Sequence, residues 1–134
     1  SIAIETDFPE TPLFCKINKE KFQNAFDNLC FNSIKFTNAG GTITIKAQEA
    51  NDMINIHVID TGIGIEPDMI SRLFEKYTKA GRVGTAGEAS TGLGLYIVKQ
   101  IIDMHNGAIE VLSEVGKGSE FIIKLPKSEA ELSE

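Results

Sequence analysis

Three side chains in one short stretch have the chemistry to hold a phosphate chain and a hydrated cation. Asn28, Asn32 and Lys35 lie four and three residues apart in "FDNLCFNSIKFT". At 3.6 residues per helical turn they fall within an arc of roughly 60°. A carboxamide oxygen is a hard ligand suited to Mg²⁺, which keeps most of its waters. A lysine ammonium supplies a point charge for phosphate. Taken alone, the same column reads as the solvated face of a surface helix.

Two glycine-rich stretches follow. "DTGIGI" (60–65) sets an acid before Gly62 and Gly64. A dinucleotide loop wants three glycines spaced G-x-G-x-x-G and an acid well downstream; here the acid comes first and the third glycine is missing. A carboxylate only accepts hydrogen bonds, so Asp60 can take adenine's exocyclic amino group and would repel the carbonyl that guanine carries there. Gly62 and Gly64 permit positive φ and let a ring approach the backbone closely. An ordinary turn remains an equal reading of this stretch alone. "STGLGL" (90–95) is expected to open a helix, where free N–H groups and the dipole end attract anions. Lys79, Arg82, Thr85, Ser90 and Thr91 precede it and all can donate to phosphate.

These groups need elements to position them. "SIAIET" and "LFCKI" read as short strands around a Pro-containing loop. From Asn18 or Lys19 to Phe36 the pattern is helical, with Phe22, Phe26, Leu29, Ser33 and Phe36 on one buried stripe. "NAGG" (38–41) suits a C-cap and turn. "TITIKAQ" (42–48) and "MINIHVID" (53–60) alternate as a hairpin. Pro67 suits the first turn of a helix running to about Phe74. Residues 77–91 lack apolar periodicity, and a stretch this long without structure is usually functional. A helix over 92–105 puts Leu93, Ile97, Ile101 and Met104 on one face. A last hairpin joins 108–114 to 119–125. The order ββαββααββ predicts an α+β fold, a two-layer sandwich with three helices on one face of a mixed, largely antiparallel sheet.

Composition sets outer limits. The 134 residues fit one domain with a real core, and 42% apolar with 24% charged residues argue for folding rather than disorder. No apolar run approaches the ~20 residues that span a bilayer. The net charge of −6 argues against a general nucleic-acid surface. Cys15 and Cys30 have neither metal-ligand nor redox spacing and read as buried free thiols. The chain opens on strand-like alternation without an initiating Met and without a leader pattern, so an excised cytoplasmic domain with a parent chain upstream is expected. Residues 1–126 are expected to form the domain, and the acidic 127–134 a flexible tail.

In order, the boxes resemble the catalytic, ATP-binding domain of bacterial sensor histidine kinases. The Bergerat fold of that domain is shared with gyrase, mismatch-repair and heat-shock chaperone ATPases. The resemblance covers nearly the whole chain. "FDNLCFNSIKFT" is similar to the family's Asn-rich box, which implies that Asn28, Asn32, Lys35 and Phe36 line the nucleotide and that Asn32 ligates Mg²⁺. "DTGIGI" is similar to the first glycine box, making Asp60 the adenine reader with Gly62, Gly64 and Ile65 around it. "LFEKYTKAG" resembles the Phe box, with Phe74 and Tyr77 at the root of an ATP lid and Lys79 as a lid cation. "STGLGLYIVKQIIDMHNG" is similar to the second glycine box, bringing Thr91, Gly92, Leu93, Gly94 and Leu95 to the phosphates. "SEVGKGSEFIIKLP" is similar to the closing hairpin.

The resemblance implies ATP and Mg²⁺ as cofactors and a histidine of the parent's dimerisation domain as phosphoacceptor. It also implies a response regulator as partner, and a monomeric fragment of a homodimeric, possibly inner-membrane parent. Asn18 stands where Asp is frequent in the family, and Ser33 where Ala is usual. Gyrase-type relatives carry a water-activating Glu where this chain has Asn28; an amide cannot act as a general base, which favours transfer to an external nucleophile over hydrolysis. Neither His57, in a strand, nor His105, in a helix-ending turn, lies in a His-Glu helix, so both read as structural. The competing readings are a non-catalytic regulatory module and a serine-directed kinase of the same fold.

Overall fold

Asn18 starts the first helix: its Oδ1 accepts from the Lys21 N–H at 3.0 Å, satisfying a donor that the helix itself cannot. The computed structural model describes residues 1–75 and 94–128. Along the described chain come β1 (Ala3–Asp7), α1 (Lys19–Lys35), β2 (Thr42–Ala50), β3 (Met53–Asp60), α2 (Pro67–Ile70), α3 (Gly94–Met104), β4 (Ala108–Glu114) and β5 (Gly118–Pro126). The five strands form one sheet ordered β1-β2-β3-β5-β4. Only the β1–β2 pair is parallel; the other three pairs are antiparallel. The architecture is the expected α+β sandwich, with α1 and α3 side by side over one sheet face.

Alternation along the strands explains the layering. Ile43, Ile54, Val58, Phe121, Ile123 and Leu125 point to one face and are buried with Ala25 and Leu29 of α1 and Val98, Ile101 and Ile102 of α3. The intervening positions form a charged face. There His57 Nδ1 lies 2.6 Å from Glu120 Oε2, and Lys124 donates to Glu110 at 2.9 Å. The hairpin between β2 and β3 closes on Asn51, whose φ of 58° suits the turn. Among the described residues no helix is long and apolar enough to cross a membrane.

Four expectations need correction. The segment 13–17 is no strand; it makes a single bridge, Cys15 to Lys127, held by the Ser128 N–H on the Phe14 carbonyl at 2.7 Å. Lys127 and Ser128, expected to begin a flexible tail, are thereby tied down; residues 129–134 lie outside the described residues. The helix begun by Pro67 ends at Ile70, and i→i−3 bonds carry the chain on to Glu75. The buried stripe of α3 is Val98, Ile101 and Ile102, while Ile97 and Met104 are exposed. The last error has a simple cause. The sequence "YIVKQIIDM" is apolar around most of its circumference, so period alone does not choose the face that meets both sheet and α1.

Ser33 is fully buried in α1, and its Oγ has no hydrogen-bond partner. Burying an unpaired hydroxyl costs free energy that a methyl group would not. Ser33→Ala is therefore expected to stabilise the domain by about 1 kcal/mol, read as a rise of about 4 °C in Tm.

Candidate functional site

The site grows from the two ends of α1. At its C-terminal end, Phe36 is buried and its carbonyl accepts from the Ile63 N–H at 3.1 Å. The acid-glycine corner after β3 is thus bolted to the helix that carries the Asn column. A Cβ on Gly62 would come within 2.1 Å of that same carbonyl oxygen, so only glycine fits between corner and helix. Gly64 has φ +78° and sits against the Glu114 carbonyl, 2.3 Å from where its Cβ would be. The two glycines are thus needed first for the chain's own close packing, a reason the motif did not disclose.

Asp60 is 4% exposed at the end of β3. Its Oδ1 accepts from the Gly62 N–H at 2.9 Å and from the Ser119 N–H at 3.2 Å. Backbone donors on a carboxylate favour its charged, acceptor-only form and fix its direction. Behind it lies a support that the sequence reading missed. Ser113 Oγ accepts from the Ile65 N–H at 2.8 Å and donates to the Gly118 carbonyl at 2.9 Å. With its one proton so used, Ser113 Oγ accepts from Ser119 Oγ at 2.9 Å. Ser113 and Ser119 thus lock Ile65 and Asp60 to the β4–β5 hairpin. The available signal was the small-residue run "GKGSEF", but the Asp60–Ser119 pairing rests on a strand register that the sequence does not carry.

Along α1, Asn28 donates through Nδ2 to the Asn24 carbonyl at 2.9 Å and to Asn24 Oδ1 at 2.7 Å. That leaves its Oδ1 turned toward the start of α3, 3.7 Å from a Cβ built on Gly94. Asn32 has a buried Nδ2 with no hydrogen-bond partner. An orphaned buried amide donor is costly unless a ligand completes it, and a phosphate oxygen has the right chemistry. Lys35 is half-buried, with Nζ 5.9 Å from the Phe36 ring centroid. Phe74 and Leu95 pack on the core from the rim. The structure therefore brings Asn28 to Gly94 and Phe36 to the Gly62–Ile65 corner. Tyr77, Lys79, Thr91, Gly92 and Leu93, and with them the lid expected over 77–91, lie outside the described residues.

Among the described residues no group of three or more His, Cys, Asp or Glu could cage a metal. A single carboxamide oxygen such as that of Asn32 is a hard donor of the kind Mg²⁺ accepts.

Neither thiol belongs to this chemistry. Burial, and then the charge of Asp27, pushes the Cys30 thiol up to about 11 from 9.0, and burial alone raises Cys15. The native fold holds Cys30 protonated. Its contribution to stability is complete below pH 9 and is lost as pH rises through about 11. At pH 8, iodoacetamide is expected to label Cys30 more slowly in the folded domain than in the urea-unfolded chain, read by mass spectrometry.

Comparison with known proteins follows the same lines. The profile described as "Histidine kinase-, DNA gyrase B-, and HSP90-like ATPase" matches residues 17–129. The sensor protein SrrB of Staphylococcus aureus is 40% identical over 110 residues, which cover 82% of this chain and 19% of SrrB. The chain thus spans about a fifth of the length of that curated relative. Among solved structures, a mycobacterial sensor histidine kinase, MprB, superposes with a TM-score of 0.79 at 25% identity, covering 94% of this chain and 84% of MprB. Full-length ShkA in complex with AMPPNP superposes with a TM-score of 0.80 at 30% identity, covering 98% of this chain and 27% of ShkA. By profile, sequence and fold together, the chain belongs to the histidine kinase-, gyrase B- and HSP90-like ATPases, as an ATP-binding domain of the sensor histidine kinase type.

Proposed function

We propose that this domain binds Mg²⁺-ATP and donates the γ-phosphoryl group to a histidine on a separate dimerisation and phosphoacceptor domain, from which a response regulator takes it. The observation that carries the reading is the buried Asp60 carboxylate, held by two backbone N–H groups at a corner bolted to the helix of Asn28, Asn32 and Lys35. The complex of ShkA with AMPPNP supports the nucleotide.

Each residue has a separable task. Asp60 accepts from the adenine amino group. Asn32 donates through its buried Nδ2 to a phosphate oxygen, and its carbonyl oxygen would hold Mg²⁺. Mg²⁺, when bound, neutralises charge on the phosphate oxygens. Lys35 adds positive charge, and the start of α3 at Gly94 and Leu95 brings backbone close without a side chain in the way. Thr91, Gly92, Leu93 and Lys79 would complete the phosphate end, with Phe74 and Tyr77 at the lid's root. Phosphoryl transfer is mostly positioning and electrostatics, so these residues need form no covalent bond. The incoming imidazole nitrogen bonds to the γ-phosphorus as the bridging P–O bond breaks, and ADP leaves with the electron pair. Asn28 supplies no base for water, which favours this transfer over hydrolysis.

Neither histidine of the chain suits the acceptor role. His57 Nδ1 is paired with Glu120 inside the sheet, and both ring nitrogens of His105 are hydrogen-bonded. Incubation with γ-labelled ATP is thus expected to leave the domain unlabelled and to label a histidine once the parent's upstream helical domain is added. Label on His57 or His105, or none on the added domain, would refute the reading.

A further inference from the structure

His105 ties α1 to α3 at the end of their shared stretch away from the Asn28–Gly94 contact. Its Nε2 accepts from the Asn18 N–H at 2.9 Å, and its Nδ1 lies 2.7 Å from the Ile101 carbonyl. A backbone N–H only donates and a carbonyl only accepts, so the pair of partners fixes one tautomer, with the proton on Nδ1. The ring also meets Phe22 edge-on, centroids 6.3 Å apart at 75°. Asn18 is the cap of α1, and Ile101 lies in the last turns of α3. The hydrogen bond from Asn18 to His105 thus spans 87 positions of sequence.

The lever that follows is set by helix geometry. Asn18 to Asn28 is about 15 Å along α1, and Gly94 to His105 is about 16 Å along α3, at 1.5 Å per residue. The two helices lie side by side, and Asn28 Oδ1, in the second half of α1, faces Gly94 at the start of α3. The lengths match, so the His105 joint and the Asn28–Gly94 contact bound the stretch over which the two helices run antiparallel. A close-packed interior transmits strain, so a shift of α1 against α3 at the joint is carried to Asn28 and Gly94.

We propose that His105 is a positioning residue for the nucleotide site: by fixing the register of α1 against α3, it sets the gap between Asn28 and Gly94. This rests on the functional reading above. The role asks for one donor, one acceptor and a flat apolar surface on a single side chain. Glutamine offers the donor and the acceptor; leucine offers neither.

The test compares wild type, His105→Leu, His105→Gln and Ile123→Val, a core truncation on β5 that lowers stability away from the joint. Two readouts are taken at a temperature where circular dichroism shows every variant folded. In Mg²⁺-AMPPNP titrations, His105→Leu is expected to bind about tenfold more weakly than wild type, as for the loss of a hydrogen bond's worth of free energy. His105→Gln should recover most of the loss, and Ile123→Val should bind as wild type. In nucleotide-free amide spectra, His105→Leu should shift Asn28, Asn32 and Gly94 at the far end of the helix pair. Wild-type affinity in His105→Leu, or a loss matched by Ile123→Val, would overturn the proposal. So would shifts confined to Asn18–Phe22 and the surroundings of His105. Should the wild type bind no nucleotide, the functional reading fails, and the amide shifts still decide the register claim.

Discussion

Asp60→Asn is expected to weaken ATP binding about 100-fold and to erase the preference for ATP over GTP, with Tm nearly unchanged. The substitution separates two duties of one carboxylate. Oδ1 accepts from the Gly62 and Ser119 N–H groups at 2.9 and 3.2 Å, and an asparagine carbonyl oxygen can still do so. The other oxygen becomes an NH₂ group, which would confront the adenine amino group donor to donor. Guanine carries a carbonyl at that position, so GTP should be spared the loss that ATP suffers. Asp60→Ala is a different experiment: it strands two buried N–H donors and should cost about 2–4 kcal/mol of stability. Calorimetric titration of both nucleotides with Mg²⁺ decides the matter. Equal binding of ATP and GTP by the wild type, or unchanged ATP affinity in Asp60→Asn, would remove Asp60 from the adenine-reading role.

Gly62→Ala should cost about 3 kcal/mol or more and lower Tm by roughly 10 °C, whereas Gly116→Ala should cost only about 1 kcal/mol. At Gly62 the new Cβ would lie 2.1 Å from the Phe36 oxygen and 2.9 Å from Asp60 Oδ1. The Phe36 carbonyl cannot retreat without losing the Ile63 N–H at 3.1 Å. Relief therefore has to come from moving the corner off α1, which also tilts Asp60. At Gly116 nothing lies within 4 Å of the added methyl, and only its φ of +84° is unfavourable for a side chain. Paired thermal melts separate crowding from backbone strain. Equal losses in the two variants would refute the close-packing account of the acid-glycine corner.

Much of this could be read before any coordinates. Local signals carried furthest: the helical stripe from Phe22 to Phe36 and the alternating pairs of strands. The Asn column was legible because three spaced side chains on a helix need no tertiary knowledge to share a face. Illegible were the contacts set by register. That Ser119 would donate to Asp60, or that Ser113 would hold Ile65, depends on β5 lying antiparallel to β3 at one offset among several. The uniform apolarity of α3 hid its buried face. Position alone reads His105 as structural; its link to Asn18 spans 87 positions, and no local pattern announces it.

The place of β5 beside β3 has a consequence for how the protein matures. Asp60 gains its Ser119 partner across 59 residues of sequence, and among the described residues β5 is the last strand made. Synthesis runs from the N-terminus, so a nascent chain carries the Asn helix and the acid-glycine corner well before the strand that completes them. Long-range closures of this kind come late in folding. ATP therefore has no half-built pocket to template. It can only reward the finished domain, by mass action on a state that already exists, and nucleotide binding should appear in one step with the docking of the last hairpin.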